Sequence, residues 1–372
     1  MLESIKPMSK GQEELLNALT NSNYNIIGVF GPTGTGKSLF SLAYSIDSVS
    51  TGKFRKLIVA KPIVDVVTQE ELTRKEYDKY EDMVKDYIKD VLGGFAEEKT
   101  IDDLFSSGKI EVLDSRYLRG MSFNDSIIFL DDVHLMKPES VLELFIRAGK
   151  NSRLIIAGDP VFQTLSNEAD SSEIIREVLL NEKDAKVVDL GIKDIVRAGT
   201  KRGIRLLLEY KLRSRKLSEA EKKVMDSAKI RAPDADIITV VEFSEEKKKL
   251  NITSEHVPDA LIVVKEGNAG RLIGKSGERI NGIESDTKMK VRVVELKLDF
   301  KDIIRAVHLL PWVVKHVDNV DFQGNELVVR LKKESGGFIG QKGVNIRLVE
   351  YVIKQMFNVG VRVIQPSEEN QS

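Results

Sequence analysis

Short continuous runs of apolar, mostly β-branched residues recur through the first half of the chain and are separated by stretches with helical periodicity. Six runs lie between residues 23 and 188: Asn25–Phe30, Lys56–Ala60, Ile110–Leu113, Ser126–Leu130, Leu154–Ala157 and Lys186–Val188. Apolar runs without alternation are typical of strands buried on both faces. We therefore predict an α/β fold, a parallel sheet flanked by helices. Gln69–Phe95 is an unusually polar helical stretch, which we expect to be a solvated surface insertion.

The second half of the chain resembles itself. Ala260–Leu296 and Glu326–Ile364 each read as a strand, a short helix, a G-x-x-G tetrapeptide, a helix and a strand. Two imperfect copies of similar length predict two small α+β modules in tandem. Arg231–Asp236 combines a proline with small and charged residues, so it reads as a domain boundary. We predict three domains, at residues 1–229, 237–297 and 298–368.

Composition and charge exclude several classes of protein. The 372 residues carry a net charge of −1, so any nucleic acid must be held by a local patch rather than by the whole chain. The absence of cysteine excludes disulfides, thiolate catalysis and cysteine-based zinc sites. The first 30 residues carry no signal-peptide pattern. No apolar run approaches the roughly 18 residues of a membrane span, so we expect a cytoplasmic protein that does not bind membranes.

The first motif with chemistry follows the first predicted strand. Residues 31–38 read Gly-Pro-Thr-Gly-Thr-Gly-Lys-Ser, fit G-x-x-x-x-G-K-[S/T], and precede a predicted helix, Ser38–Ser50. A strand before and a helix after the motif are typical of a P-loop, whose glycines let backbone N–H groups converge on phosphate oxygens. The motif predicts ATP and Mg²⁺ as cofactors, with Lys37 on the β- and γ-phosphates and the Ser38 hydroxyl on Mg²⁺. The alternative is a simple glycine turn.

Two carboxylates, Asp131 and Asp132, follow the strand Ser126–Leu130. We expect this strand to lie beside the P-loop strand. Asp131 would then hold Mg²⁺ through coordinated water, and Asp132 would orient the attacking water. The alternative is a pair of helix-capping aspartates.

These residues give the N-terminal half a resemblance to the PhoH family of ATPases, which are related to superfamily 1 helicase cores. Further blocks extend the resemblance: Ser9–Gln12, Ile58–Pro62, Tyr117–Gly120 with Asn124-Asp125, and Asp194–Arg197. The resemblance implies that Gln12 reads adenine and that Arg197 reaches the γ-phosphate of a neighbouring subunit or domain. A homo-oligomer such as a ring would supply that neighbour.

The chain departs from the family pattern at two places. The family's Asp-Glu-Ala-Gln is Asp131-Asp132-Val133-His134 here, and the block Gly158–Gln163 has one extra residue. We expect Gln163 to sense the γ-phosphate. His134 either couples the nucleotide to a nucleic acid or is a half-buried histidine with a satisfied hydrogen bond.

The predicted site residues fall into three groups. The catalytic residues are Lys37, Asp132, Gln163 and Arg197. The nucleotide-binding residues are Gln12, Gly31, Pro32, Thr33, Gly34, Thr35, Gly36, Lys37, Ser38 and Phe40. The metal-binding residues are Ser38 and Asp131.

The two G-x-x-G segments resemble the RNA-binding loops of KH domains. A helix and a strand before the second copy give the type II order, similar to the tandem KH pair of the NusA transcription factors. The resemblance implies phosphate contacts by Lys275 and Lys342, with Arg271, Arg279 and Arg347 as flanking candidates. The predicted RNA-binding residues are Gly274, Lys275, Ser276, Gly277, Gly340, Gln341, Lys342 and Gly343. The alternative is two ordinary α+β domains with glycine turns.

Together these features predict an RNA-dependent ATPase that acts on single-stranded RNA. One alternative is an RNA-binding protein that is switched by nucleotide with little turnover, and another is a metabolite kinase. Between Lys201 and Lys223 the chain holds nine Lys or Arg and three Glu, a local net charge of +6. This stretch is either a solvated helix face or a second RNA track.

Overall fold

The structure is a computed structural model, and it describes residues 1–64, 71–72, 80–114, 121–162 and 171–365. The chain divides into two compact units, Met1–Thr200 and Lys201–Ser372. The domain limits predicted from the sequence stay predictions. No helix in the described ranges is long and apolar enough to cross a membrane.

The first unit is built on a parallel sheet. Its strands are β1 (Ile26–Phe30), β2 (Lys56–Ala60), β3 (Ile63–Val64), β4 (Glu71–Leu72), β5 (Ile110–Val112), β6 (Ser126–Leu130), β7 (Arg153–Gly158) and β8 (Ala185–Asp189). Six of them form one sheet in the order β5–β2–β6–β7–β1–β8, and all pairs are parallel. The predicted parallel α/β fold is therefore confirmed. The short strands β3 and β4 pair separately and antiparallel.

The position of β6 corrects one expectation. From the sequence this strand was predicted to lie beside β1, but β7 lies between them and pairs with both. Adjacency within a sheet depends on the path of the crossover connections, and the apolar runs carry no information about that path.

Helices cover both faces of this sheet. They are α1 (Lys10–Thr20), α2 (Lys37–Ser50), α3 (Tyr80–Leu92), α4 (Glu98–Ser106), α5 (Pro138–Arg147) and α6 (Ser171–Leu180). Side chains of α1 to α4 join one buried cluster, and those of α5 and α6 join the other. Successive residues of β6 point alternately into the two clusters, Ile127 into the first and Ile128 into the second.

Helix α3 corrects the expectation of a solvated insertion at Gln69–Phe95. Its residues Tyr80, Val84, Ile88 and Leu92 are buried and pack into the same cluster as α2. The spacing of four residues puts them on one face of the helix. The charged residues on the other face dominate the composition, and for this reason the stretch looks polar in the sequence.

The second unit begins with a long helix and a first α+β module. These elements are α7 (Ala198–Arg213), α8 (Glu219–Arg231), β9 (Ile237–Glu242), α9 (Ser244–Lys249), β10 (Ala260–Val264), α10 (Ala269–Ile273), α11 (Glu278–Thr287) and β11 (Val291–Glu295). β9 is antiparallel to β10, and β10 is parallel to β11. Val224 and Ala228 of α8 pack with Ile283 of α11 in the core of this module. Helix α8 therefore supplies the helix that precedes the sheet.

A second module repeats this order without a counterpart of α9. It contains α12 (Lys301–Val307), β12 (Val317–Gln323), β13 (Glu326–Leu331), α13 (Ser335–Ile339), α14 (Val344–Phe357) and β14 (Gly360–Ile364). β12 is antiparallel to β13, and β13 is parallel to β14. Phe300 packs edge-on against Phe322 and Phe357, each with ring centroids 5.4 Å apart. Both copies thus share the order helix, strand, strand, helix, helix, strand, and the first copy adds the short helix α9 between its first two strands.

Candidate functional site

The loop of residues 31–38 joins β1 to α2 and depends on glycine. Gly31 has φ of 150°, and a Cβ there would overlap the carbonyl oxygen of Leu190. Gly36 has φ of 95°, and a Cβ there would lie 3.1 Å from Gln12 Nε2 and 3.2 Å from Phe40 Cδ2. Both positions combine a left-handed backbone with a close neighbour, which glycine alone tolerates. Phe40 and Gln12 therefore pack directly against the loop.

Lys37 turns its ammonium group back into the curve of this loop. Nζ donates hydrogen bonds to the carbonyl oxygens of Gly31 and Pro32, at 2.7 and 2.9 Å. Burial lowers the pKa of Lys37, against the opposing charges of Asp159, Asp132 and, more weakly, Asp131. The ammonium group is thus held by carbonyl dipoles at the centre of a glycine-rich loop. Loops of this kind commonly bind phosphate oxygens.

Asp131 lies at the carboxyl end of β6 and is fully buried, with 0% of its surface exposed. Its Oδ1 accepts hydrogen bonds from Ser38 Oγ at 3.2 Å and from the Asp132 N–H at 3.0 Å. Its Oδ2 accepts a short hydrogen bond from the Tyr87 hydroxyl of α3. Burial raises the pKa of Asp131, while Lys61 and the hydrogen bonds from Tyr87 and Ser38 oppose the increase. The predicted metal-binding pair, Ser38 and Asp131, is in direct contact.

Asp132 adopts a left-handed backbone, with φ of 54° and ψ of 44°. This conformation is unfavourable for a residue other than glycine, by about 1–2 kcal/mol. The Asp132 carboxylate pairs with Lys61 Nζ, which also lies 3.8 Å from Asp131 Oδ2. Burial opposes ionisation of Asp132, but Lys61 and His134 outweigh it and lower the pKa of Asp132. Asp132 is therefore held as a carboxylate.

Lys61 and Tyr87 belong to the site but were not predicted as site residues from the sequence. Lys61 Nζ lies 4.2 Å from the centroid of the Tyr87 ring, a cation–π distance. Burial opposes the charged form of Lys61, but Asp131 and Asp132 outweigh it and raise the pKa of Lys61. Burial and the Asp131 charge raise the pKa of Tyr87, so its hydroxyl stays protonated as a donor. Lys61 lies in the block Ile58–Pro62, which contributes to the family resemblance and so could have indicated this residue. Nothing in the local sequence singles out Tyr87.

These groups line a cavity of about 450 Å³ in the first unit. Polar contributions come from Lys37, Ser38, Lys61, Asp132 and Arg197, and apolar ones from Ile5, Met8, Phe40, Val91 and Phe95. A mixed lining of this size is typical of small-molecule and cofactor sites.

Gln12 is fixed beside this cavity by two hydrogen bonds. Its Nε2 donates to the Thr35 carbonyl oxygen, and its Oε1 accepts from the Met8 N–H, both at 2.8 Å. Ser9 caps α1 by accepting a hydrogen bond from the Gln12 N–H. The structure therefore brings the predicted Gln12 block to the P-loop.

Asp194 connects the Gln12 block to the Arg197 block. Its two carboxylate oxygens accept hydrogen bonds from the N–H groups of Gly11 and Gly191, at 3.2 and 2.8 Å. The Val196 N–H donates to the Gly34 carbonyl oxygen at 3.2 Å. Arg197 follows directly, is exposed and lines the cavity.

The donor set fits a magnesium ion. Mg²⁺ keeps several waters and is usually held by one or two protein ligands together with substrate phosphates. Ser38 and Asp131 supply a hydroxyl and a carboxylate of this kind, beside a phosphate-type loop. The described ranges contain no cluster of three or more acidic or histidine residues that would bind a metal without a phosphate ligand.

His134 and Asp159 interact electrostatically with Lys37. His134 Nδ1 accepts a hydrogen bond from the Asp159 N–H at 3.3 Å, and burial lowers the pKa of His134. Asp159 Oδ1 accepts from the N–H groups of Val161 and Phe162 and so fixes the turn after β7. His134 Nε2 and Asp159 Oδ2 are buried and have no hydrogen-bond partner in the part of the chain that the structure describes. Gln163 and the block Tyr117–Gly120 lie outside the described residues.

The two G-x-x-G loops have the same backbone. Gly274 and Gly340 both have φ of 77°, and the last glycines, Gly277 and Gly343, have φ of 80° and 75°. The third residues, Ser276 and Lys342, are left-handed at 55° and 52°. The two predicted lysines therefore occupy different places, because Lys275 is equivalent to Gln341 and Lys342 to Ser276. Both lysines are exposed.

The flanking arginines differ between the copies. Arg279 packs on Gly274, binds the Asp234 carboxylate and donates to the Arg271 carbonyl oxygen at 2.8 Å. Arg279 is therefore engaged within the protein and is a poor candidate for a phosphate contact. Arg347 is exposed beside Gly343.

The basic stretch Lys201–Lys223 is partly neutralised by ion pairs. Arg205 pairs with Glu266 at 3.0 Å, Arg213 with Glu209 and Asp236, and Arg215 with Glu221 at 2.6 Å. These pairs favour a structural role for the stretch over an RNA track.

Comparison with known proteins yields two family matches. Residues 4–209 match the PhoH-like protein family, and residues 260–304 match the KH domain family. That the second module is also a KH domain, and the likeness to the NusA pair, stay predictions.

Individual relatives are distant. The chain is 27% identical over 202 residues to a PhoH-like protein of Bacillus subtilis, and the aligned region covers 52% of this chain and 61% of the relative. It is 26% identical over 196 residues to a PhoH-like protein of Mycobacterium leprae, and the aligned region covers 52% of this chain and 56% of that relative. The chain thus spans less than two thirds of the length of these relatives. The crystal structure of APE1850 is 21% identical, with a TM-score of 0.30, and covers 40% of this chain and 99% of that chain.

The match to the first family spans 206 of the 372 residues and contains the P-loop, both carboxylates and the Gln12 and Arg197 blocks. The chain belongs to the PhoH-like protein family, and its second unit contains a KH domain.

Proposed function

We propose that this protein is an RNA-dependent ATPase that hydrolyses ATP with Mg²⁺ and acts on single-stranded RNA. The observation that carries the proposal is that Lys37, Ser38 and Asp132 line one cavity of about 450 Å³, with the buried Asp131 bonded to Ser38. The KH domain on the same chain supports RNA as the partner.

In this proposal ATP binds with its phosphates along the loop of residues 31–38. Lys37 would exchange its hydrogen bonds to two loop carbonyls for hydrogen bonds to phosphate oxygens. Because its ammonium group is already buried in the loop, binding requires little rearrangement of this side chain. Ser38 and Asp131 hold Mg²⁺, which supplies charge neutralisation at the β- and γ-phosphates. Gln12, Phe40 and Arg197 line the cavity; the first two are the candidates for adenine contact, and Arg197 is the candidate for γ-phosphate contact.

Asp132 positions the attacking water in this proposal. Its low pKa keeps it ionised and able to accept a hydrogen bond from water. Its ion pair with Lys61 competes for the same carboxylate oxygens. We therefore infer that basal hydrolysis is slow and that Lys61 must release Asp132 for full turnover.

A second candidate function follows from the same ion pair. If Lys61 is never released, the protein is an RNA-binding protein whose nucleotide state switches its affinity for RNA, with negligible turnover. Stimulation of hydrolysis by RNA distinguishes the two functions.

The decisive experiment is an ATPase assay with and without homopolymer RNA, at several protein concentrations. RNA should raise the turnover number, and Lys37→Ala should abolish it because the phosphate-neutralising charge is lost. Hydrolysis that RNA leaves unchanged favours the switch, and unchanged turnover in Lys37→Ala contradicts the P-loop assignment. A rise in specific activity with protein concentration would support the predicted homo-oligomer.

The loops provide the test of RNA binding. Both become G-D-D-G when Lys275, Ser276, Gln341 and Lys342 are replaced by Asp, which converts attraction to phosphate into repulsion. RNA affinity should fall, and the dependence of log K on log[salt] should flatten by roughly 0.7 per lost phosphate contact. Hydrolysis without RNA should continue, because the site proposed for it lies in the first unit. Wild-type RNA affinity in this variant would contradict the role of the loops.

A further inference from the structure

The two modules differ in chemistry on the face beside the G-x-x-G loop, although their backbones agree. In the first module, the turn between α8 and β9 carries Asp234, which binds Arg279. In the second module, the equivalent segment between α12 and β12 carries Trp312 and Lys315. Asn345 stands beside Gly340 where Arg279 stands beside Gly274 in the first copy. The first face is neutralised by an internal ion pair, whereas the second presents an aromatic ring and a cation.

Trp312 is the chain's only tryptophan, and 48% of its surface is exposed. The ring atom Cη2 lies 4.0 Å from the place that a Cβ would take at Gly337. Gly337 belongs to α13, which leads directly into the loop Gly340–Gly343. The ring therefore lies about one helical turn from the loop, with much of its apolar area in water.

A buried histidine fixes the segment that carries this ring. His308 Nε2 donates a hydrogen bond to the Phe338 carbonyl oxygen of α13 at 2.9 Å, and Nδ1 accepts one from the Leu310 N–H at 3.0 Å. Trp312 follows Leu310 by two residues. The ring is thus held against α13 before any ligand binds, which reduces the entropy lost on binding.

One cation without an acidic partner lies beside the ring, and two more lie in or next to the loop. Lys315 Nζ lies 5.5 Å from the centroid of the Trp312 ring. Lys342 is exposed in the loop, and Arg347 is exposed beside it. Within the described residues none of these three cations forms an ion pair. Proteins usually bind single-stranded nucleic acids with cations along the phosphate backbone and aromatic rings that stack on the bases.

We propose that Trp312 stacks on a base of single-stranded RNA whose backbone is held at the loop Gly340–Gly343. The inference rests on the proposed RNA binding of this protein. A base fits better than a protein partner, because no other large hydrophobic side chain in the described part of the second module is comparably exposed. A protein interface needs a contiguous apolar core, which one isolated ring does not provide.

The unmodified full chain gives the first test. An oligouridylate of about twelve nucleotides, long enough to span one binding site, is titrated while tryptophan emission is recorded. Because Trp312 is the only tryptophan, quenching reports on this ring alone. We expect saturable quenching whose midpoint agrees with the fluorescence anisotropy of a labelled oligouridylate. An abasic oligomer of equal length keeps the phosphates and should bind without quenching.

Variants give the second test. Trp312→Leu should weaken binding of the labelled oligouridylate about 5- to 150-fold, the range for loss of one base stack. Trp312→Phe should recover most of the affinity because it keeps a π-face. If RNA binds while emission stays constant, if the abasic oligomer quenches equally, or if Trp312→Leu binds as the wild type does, stacking is overturned and RNA binding stands. If the wild type shows no anisotropy change, RNA binding and stacking are both overturned.

Discussion

The buried His308 makes the stability of the second module depend on pH. Burial lowers the pKa of His308 below its usual value of 6.5, although its backbone hydrogen bonds oppose the shift. These opposing hydrogen bonds run to carbonyl oxygens, from Nε2 to Phe338 at 2.9 Å and from Nδ1 to Leu310 at 3.2 Å, and burial outweighs them. The unfolded chain therefore binds a proton that the folded module resists.

The magnitude follows from proton linkage. Stabilisation by neutral His308 is fully present above the pKa of the unfolded histidine and is lost as the pH falls below it, towards the lowered folded pKa. Between about pH 7.5 and about pH 5.5 the free energy of unfolding should therefore fall, with a contribution from this residue on the order of 1 kcal/mol at most. Carboxylates also titrate in part of this range, so the contribution has to be isolated by substitution.

His308→Gln isolates it. The glutamine amide can keep a donor for the Phe338 carbonyl oxygen but leaves the Leu310 N–H without its acceptor, which costs about 1–3 kcal/mol at neutral pH. It does not titrate, so the variant should lose the pH-dependent part of the stability. Urea unfolding followed by Trp312 emission measures this module in the full chain.

The matched control is His256→Gln, at an exposed position of the first module. It should keep the wild-type change in stability between the two pH values. The reasoning is refuted if His308→Gln and the wild type lose the same stability on acidification.

Three further outcomes are expected in the first unit. Asp132→Asn should bind ATP, measured with a fluorescent analogue, and hydrolyse it slowly; failure to bind Mg-ATP would mean that Asp131 and Asp132 exchange roles. Arg197→Ala should lose ATPase activity that returns on mixing with Lys37→Ala, whereas full activity of a dilute wild-type monomer would exclude action between subunits. Tyr87→Phe removes a hydrogen bond to a buried carboxylate and should lower the free energy of unfolding by about 1.5–3 kcal/mol, measured by circular dichroism in urea; an unchanged midpoint would show that the bond contributes nothing.

Features that depend on a short stretch of consecutive residues could be predicted from the sequence. The six strands appear as continuous apolar runs, and the P-loop and G-x-x-G turns appear as glycines at fixed spacing. Gly36 illustrates why, since its positive φ and its close neighbours Gln12 and Phe40 require glycine at that one position. Such local requirements are visible without the fold.

Contacts between distant segments were not predictable in the same way. Tyr87 reaches Asp131 because α3 is buried on α2, and that packing was hidden by the charged residues of its other face. Arg279 was a flanking candidate for RNA contact, because its partner Asp234 lies 45 residues away and the local sequence does not show it. Long-range pairs depend on how elements are oriented, and single-sequence periodicity does not specify orientation.

The contribution of α3 to the cavity wall bears on how inhibitors would discriminate among nucleotide-binding proteins. The P-loop recognises phosphates through backbone groups that many proteins share, so compounds built on the triphosphate gain little selectivity from it. Tyr87, Val91 and Phe95 instead come from a helix and its following turn inserted between β2 and β5. A ligand that extends from the P-loop to these three side chains would draw its selectivity from shape and apolar contact specific to this wall.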